Sequence, residues 1–406
     1  MTSERDPLES RAPEAREAAI AAALPGVVAR AAAAAPGMAA HLAGVDPAAV
    51  TDRAALARLP VLRKAALAEA QAKAPPFGGF AAGGPADFAH VFQSPGPIYE
   101  PGRRGGDWWR LGRFLRACGI GAGDVVQNCF SYHLTPAGMM FESAAEAVGA
   151  SVLPAGTGQT ELQARAAADV GATAYSGTPD YLKAILEAAD AAGLALRFAK
   201  AAVSGGALFP SLRAFYAERG IACLQCYATA DLGLIAYESE AMEGMIVDEG
   251  VIVEIVRPGT GDPVPEGEVG EVVVTTLNPD YPLIRFATGD LSAVMPGTSP
   301  CGRTNMRIRG WMGRADQTTK IKGMFVRPEQ VAALVARHPE VLRARVIADR
   351  AEERDVMTVQ VEAEGVDAAA LAASVEAVLK LRGAVEVVPP GSLPNDGKVI
   401  EDRRSY

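Results

Sequence analysis

An α/β fold in two parts is predicted for this chain, a large domain of mostly parallel sheet followed by a small α+β domain. Three observations carry that prediction. Strand-like and helix-like segments alternate between residues 90 and 260, the spacing of a largely parallel sheet with helices on its faces. Residues 245–300 then change to antiparallel hairpins, with Pro258-Gly-Thr-Gly-Asp262 as turn chemistry. After Gly313 the order becomes β-α-β-β-α-β, the ferredoxin-like arrangement.

The first 75 residues read as helices broken at prolines, with the better helical patterns over 6–23 and 52–71. Strands are expected at 125–130, 151–153, 172–175, 199–204 and 221–226, and helices at 137–148, 162–170, 179–192 and 209–219. Pro282-Leu-Ile-Arg-Phe-Ala-Thr-Gly-Asp290 reads as a strand entering a tight turn that presents Asp290 at its end. A carboxylate fixed there suits a pair of vicinal hydroxyls, as on a ribose. Behind it, Gly313-Arg-Ala-Asp316 reads as a turn and 318–326 as one strand. The small domain continues with a helix at 328–337, strands at 341–348 and 355–363, a helix at 367–381 and a strand at 384–388. Pro328 suits the first turn of its helix, and His338 closes that helix's apolar face as a structural residue.

With 406 residues, the chain is long enough for two domains, placed at 1–313 and 314–406. Apolar residues make up 49% and charged residues 21%, a soluble globular balance. The formal net charge of −9 argues against nucleic acid or an anionic membrane as main partner. The start, Met-Thr-Ser-Glu-Arg-Asp, is not a signal peptide, and Pro25, Arg30 and Pro36 interrupt the Ala-rich run at 18–40, so no membrane span is expected. Five cysteines in a chain of this length point to a reducing cytoplasm. Cys223 and Cys226 fall on a buried strand and read as core rather than as a redox pair.

Taken together, Thr288-Gly-Asp290, the Gly313–Gly323 stretch, Gly123-Asp-Val-Val-Gln-Asn128 and Leu393-Pro-Asn-Asp-Gly-Lys398 resemble the adenylate-forming ligases, phenylacetate-CoA ligase above all. The resemblance covers nearly the whole chain. It implies a large adenylate-forming domain, with a β-hairpin subdomain, and a mobile carboxyl-terminal domain. Such enzymes join a carboxylic acid to ATP as an acyl-adenylate and pass the acyl group to coenzyme A, with Mg²⁺ on the nucleotide. By this likeness Tyr132, His133 and Phe141 border an aromatic or similar small acid. Ser94, Gly96, Gly205, Gly206, Tyr227, Ala228 and Thr229 contact the nucleotide, and Asp290 and Arg314 hold its ribose. Asp231 meets Mg²⁺, Lys398 is the catalytic cation, and Asp316 is the pivot of the small domain. A mobile ammonium is needed because charge spreads over phosphate and carboxylate as the bond forms. The expected partners are an acid, ATP and CoA, with assembly as a homodimer left open.

The sequence also departs from the family pattern. Its phosphate loop, rich in Ser, Thr and Gly and bearing a lysine, corresponds here to Gln93-Ser-Pro-Gly-Pro-Ile-Tyr-Glu-Pro101. Tyr99 stands at a glycine position and Glu100 at the lysine, while Pro95 and Pro97 each remove an N–H donor. A carboxylate there would repel a triphosphate. Asp231 shortens the usual glutamate, and Ala207 and Ala287 replace an acid and an arginine. Cys301 retains one member of a zinc-binding set whose other ligands are missing, so no zinc is expected. Two readings follow: an ATP-dependent acyl-CoA ligase, or a non-adenylating homologue that acts as a binding or regulatory module or uses a pre-activated acyl group.

Overall fold

The computed structural model describes residues 5–315, 317–322, 324–351 and 354–404. The chain forms two compact units. The first comprises Met1–Val253, Val274–Phe286 and Met295–Gly310; the second comprises Glu254–Val273, Ala287–Val294 and Trp311–Tyr406.

In the first unit a short 3-10 helix at Pro7–Ser10 precedes a helix over Pro13–Ala34 that runs through Pro25 without breaking. The sequence reading expects an interruption there, because an interior proline costs about 3 kcal/mol. Burial of Leu24, Val27, Val28 and Ala31 offsets that cost. Arg16 fixes the same helix through hydrogen bonds of 3.1 and 2.8 Å to the Glu249 carboxylate. By length and composition this helix could cross a membrane, yet those side chains are packed inside the unit.

The expected helix over 52–71 is split in two. Arg53–Ala57 is capped by the Asp52 carboxylate, which accepts from the Ala55 amide at 2.6 Å. Pro60 then prevents continuation, the chain forms a short strand at Leu62–Arg63, and a new helix starts at Lys64.

A nine-stranded sheet forms the centre. Its order is Val294–Met295, Arg307–Ile308, Met245–Val247, Gly233–Tyr237, Ala222–Thr229, Lys200–Val203, Ala174–Gly177, Val125–Asn128 and Ser151–Pro154. The last five are mutually parallel, as the alternating pattern predicts. Helices Ala137–Ala147, Thr160–Val170, Pro179–Ala191 and Pro210–Glu218 connect them. Two apolar clusters hold the unit together, one around Phe114, Phe130 and Phe141, the other around Tyr175, Leu182 and Tyr216. A second, four-stranded sheet has the order Leu62–Arg63, Phe286–Ser292, Gly270–Thr276, Val251–Val256.

In the second unit, strands Val341–Ala351 and Arg354–Ala363 pair antiparallel, and helices Pro328–Ala336 and Ala368–Leu379 close the core. The expected single strand at 318–326 is instead a hairpin, Thr319–Ile321 against Met324–Val326. The chain turns at Lys322, where φ is +47°. It contributes no strand to the main sheet, whose order is Ala384–Val388, Arg354–Ala363, Val341–Ala351, Ile400–Asp402. The edge strand Ile400–Asp402, parallel to Val341–Ala351, lies beyond the pattern read from the sequence.

Candidate functional site

The parallel strands of the first unit end at Asn128, Pro154, Gly177, Val203 and Thr229. Loops beyond the carboxyl ends of parallel strands are where open α/β sheets bind ligands. Tyr132, His133, Gly205 and Gly206 lie in such loops, Tyr227, Ala228 and Thr229 close the last of these strands, and Asp231 follows it.

Asn128 organises this edge. Its amide donates to the Tyr132 hydroxyl at 2.8 Å and to the Gly138 carbonyl at 2.7 Å, and its oxygen accepts from Ser176 at 3.0 Å. Gly138 is required for the close approach, because a Cβ there would lie 2.8 Å from both the Ser131 carbonyl and Tyr132 Cγ. Tyr132 is half-buried and its phenol is pushed up from its ordinary pKa, chiefly by burial. His133 is exposed. Phe141 is a core residue, stacked on Phe130 with ring centres 4.3 Å apart.

Gly205 adopts a φ of +71°, which turns the chain sharply after the strand Lys200–Val203. The Ser204 hydroxyl donates to the Cys226 carbonyl at 2.9 Å and ties that loop to the strand Ala222–Thr229. Cys223 and Cys226 are buried free thiols, each pushed up to about 12 by burial.

The stretch corresponding to the phosphate loop is a tight antiparallel hairpin. His90–Ser94 pairs with Ile98–Gly102, with Ser94 opposite Ile98 and Phe92 opposite Glu100. Gly96 lies in the exposed turn between two prolines that donate no hydrogen bond. Gln71 grips the second strand, its amide nitrogen 2.8 Å from the Tyr99 carbonyl and its oxygen 2.8 Å from the Tyr99 amide. The Ser94 hydroxyl donates to Glu100 Oε1.

Glu100 is therefore not the exposed charge that the sequence reading assigns to it. Only 1% of it is accessible. Burial first and the nearby Asp231 second push its carboxyl up to about 8. Near neutrality it is mostly uncharged, so the expected repulsion of a triphosphate falls away. Asp231 is also buried, and its Oδ2 accepts from Lys64 Nζ at 2.9 Å. Its Oδ1 has no partner among the described residues. An unpartnered carboxylate oxygen of this kind fits Mg²⁺, which takes one or two carboxylates and completes its shell with water and phosphate oxygens. Lys64 is the residue that sequence reasoning missed. A basic residue just after Leu-Pro60-Val-Leu-Arg was the available signal, but its partner is 167 positions away.

The other expected residues belong to the second unit. Asp290 lies within the strand Phe286–Ser292 rather than at the end of a turn, because Gly289 at φ +75° lets the strand continue. Asp290 Oδ1 accepts from Arg314 Nη1 at 3.0 Å and from Trp311 Nε1 at 3.1 Å. The expected ribose pair is thus brought together as an ion pair, with an indole beside it. Asp316, expected as the pivot, lies outside the described residues.

Lys398 is exposed on a loop whose backbone is pinned. Gln317 Oε1 accepts from the Val399 and Ile400 amides at 2.7 and 2.9 Å. Asn395 holds the Val269 amide at 3.0 Å and the Gly267 carbonyl at 3.1 Å, and Asp396 pairs with the buried Arg345. Gly397, at φ +69°, packs so closely that a Cβ would lie 2.7 Å from Val269 Cγ1 and 3.0 Å from Leu291. The exposed Lys398 side chain, expected from the sequence, thus extends from a backbone whose anchors the sequence does not show. Near Cys301, the Ser299 hydroxyl donates to its sulfur at 3.1 Å. Among the described residues no three His, Cys, Asp or Glu side chains gather as a metal site.

No protein-family model matches the chain. Phenylacetate-coenzyme A ligases do match: 31% identity over 241 residues for that of Thermus thermophilus, covering 57% of this chain and 54% of the relative. That of Aromatoleum evansii is 30% identical over 268 residues, covering 63% and 60%. That of Escherichia coli K12 is 32% identical over 234 residues, covering 54% and 52%. The matched part thus spans little more than half the length of these curated relatives. Solved structures of a 2-hydroxyisobutyryl-CoA ligase match more fully. In complex with its acyl-AMP and CoA, in the thioester-forming state, that enzyme superposes with a TM-score of 0.71 at 25% identity, over 98% of this chain and 91% of its own. Its postadenylation state, bound to the acyl-AMP, gives 0.72 over 97% and 91%. The chain is thus similar to phenylacetate-CoA ligases over little more than half their length, and to the acyl-AMP-bound 2-hydroxyisobutyryl-CoA ligase over nearly all of its own.

Proposed function

We propose that this chain activates a small carboxylic acid with ATP and Mg²⁺ as an acyl-adenylate, then transfers the acyl group to coenzyme A. The observation that carries this reading is the Gly397-Lys398 loop, pinned on both sides while its ammonium reaches solvent. That is the arrangement needed for a cation that must find a developing charge without disturbing its backbone. Asp290 and Arg314 would hold the ribose. The half-buried Tyr132, on the edge set by Asn128, would border the acid, and Asp231 would supply a carboxylate oxygen to Mg²⁺. Asp316 is read as the pivot, so Asp316→Pro should affect the two half-reactions unequally. The free cysteines support a reducing, cytoplasmic setting.

ATP–pyrophosphate exchange across a panel of aromatic and short aliphatic acids tests the reading. Exchange that requires one class of acid, and acyl-CoA formation from that acid, are expected. The hairpin over residues 90–102, closed by Gln71 and without a lysine, favours the second reading, a non-adenylating homologue. Thioester formation from a synthetic acyl-adenylate, with no exchange for any acid, would establish that second reading.

A further inference from the structure

The second unit contains a cavity of about 210 Å³. That is more room than the roughly 150 Å³ that admits benzene to an engineered apolar cavity. Part of its wall is apolar: Val331 and Val335, a turn apart on the helix Pro328–Ala336, line it together with Leu342, a strand residue left 52% exposed. The rest carries Arg257, Arg343, Arg345 and Lys398 against Asp262 and Glu268. Arg345 is 3% accessible. Its two Nη atoms are taken by Asp396, Glu401 and the Pro394 carbonyl, while Nε has no partner among the described residues. Arg257 Nη1 donates to the Leu342 carbonyl at 3.4 Å, and Arg343 donates to the Leu393 and Pro394 carbonyls at 3.3 and 3.2 Å. These are long bonds to neutral acceptors. Among the described residues, neither guanidinium group has a carboxylate partner.

We propose that this cavity binds a compact monocarboxylate with an apolar body, and that its occupant retains Lys398 and so slows adenylation. The apolar wall takes the body, while Arg257 and Arg343 offer planar sets of N–H donors that suit a carboxylate. The bound oxygens, or a water they carry, would also satisfy Arg345 Nε, whose isolation otherwise costs free energy. Arg257, Arg343 and Lys398 outnumber Asp262 and Glu268 by one charge. A single negative charge balances that excess, whereas a phosphate dianion would be repelled by the two carboxylates. Lys398 belongs to the same wall, so an anion held there competes for the ammonium that the acyl-adenylate step needs. Binding stands on the cavity alone; the effect on rate rests on the ligase reading.

The test titrates para-fluorobenzoate into the full chain, with isotope-labelled valine methyl groups read by nuclear magnetic resonance. The Val331 and Val335 signals, assigned from Val331→Ile and Val335→Ile, should shift saturably. The neutral analogue para-fluorobenzyl alcohol should bind at least about tenfold more weakly, because it offers the guanidinium groups no charge. Arg257→Gln and Arg343→Gln should each weaken the carboxylate by about three- to tenfold. Circular dichroism shows whether each variant folds, and the two serve as independent checks. With an accepted acid as substrate, para-fluorobenzoate should lower pyrophosphate exchange without competing with that acid. Arg257→Gln should raise the inhibition constant by the factor seen in binding and leave the uninhibited rate unchanged. Absence of a saturable shift at both valines overturns the proposal, as does equal binding of the alcohol or unchanged binding in both folded arginine variants. Exchange that is unaffected at saturating probe overturns the effect on Lys398. Failure of the ligase reading would look different: the valine signals would respond, yet no acid would support exchange.

Discussion

The hairpin over residues 90–102 and the loop over 393–398 are both short and rich in glycine and proline, and the sequence resemblance leads to an expectation of phosphate at each. They use their polar groups in opposite ways. In the hairpin the ionisable side chain turns inward: Glu100 is buried, bonded to Ser94 and held largely neutral. In the carboxyl-terminal loop the backbone is fixed by Gln317, Asn395 and the packing of Gly397, and the ionisable side chain faces water. The hairpin spends its ionisable side chain on the core. The carboxyl-terminal loop spends its backbone on position and leaves its charge at the surface.

The sharpest way to break this comparison is Lys398→Ala. If the loop exists to present that ammonium, adenylation should fall by about 10²–10³-fold or more, because a preorganised cation is lost at the developing charge. The circular dichroism spectrum should not change. Thioester formation from a supplied acyl-adenylate should fall much less. Equal losses in both half-reactions, measured separately, would remove Lys398 from the adenylation step.

The hairpin is tested by pH. Burial and Asp231 raise the Glu100 carboxyl from 4.5 to about 8 in the folded chain. A raised pKa means that the folded state holds the proton more tightly than the unfolded state. The stabilisation is complete below pH 4.5 and is lost as pH rises through about 8. Glu100→Gln keeps the shape and removes the proton. Measured in chelator by urea unfolding, the difference in stability between natural chain and variant should therefore shift toward the variant from pH 5 to pH 8. A difference that does not change over that range would mean that Glu100 titrates normally. Glu100→Lys would place an ammonium in the same buried surroundings and should destabilise the fold.

Gly397→Ala addresses the loop's backbone. An L-residue at φ +69° is strained, and its Cβ would press on Val269 and Leu291. A loss of about 1–3 kcal/mol in stability is expected, read from the urea midpoint. A neutral substitution would show that the loop is not pinned there.

Much of the fold is legible in the sequence because its signals are local. The parallel strands and their helices follow from period and spacing, and the glycines beside Asp290 and Lys398 mark positive-φ positions. What escapes the sequence depends on distant partners. Pro25 inside a helix is tolerated only because Leu24, Val27, Val28 and Ala31 find a core. Lys64 gains its meaning from Asp231, far along the chain. Glu100 reads as a misplaced charge until the hairpin buries it. The strand Ile400–Asp402 is too short to show a period and is defined by pairing with Val341–Ala351.

The smallest expected effect separates anchoring from charge. Gln317→Ala removes the oxygen that accepts from the Val399 and Ile400 amides, and the amide that reaches the Gly397 carbonyl at 3.3 Å. The freed amides are partly buried, so stability should fall by about 1–2 kcal/mol. Lys398 keeps its charge but loses its fixed base. Adenylation should therefore fall by less than about tenfold, through a lower kcat with little change in the KM for ATP. Replacing Gln317 by Glu sharpens the point, since Glu retains the accepting oxygens and should restore most of the rate. If Gln317→Ala were as damaging as Lys398→Ala, the loop's position would matter as much as its charge. The contrast with the hairpin would then lie in backbone order alone.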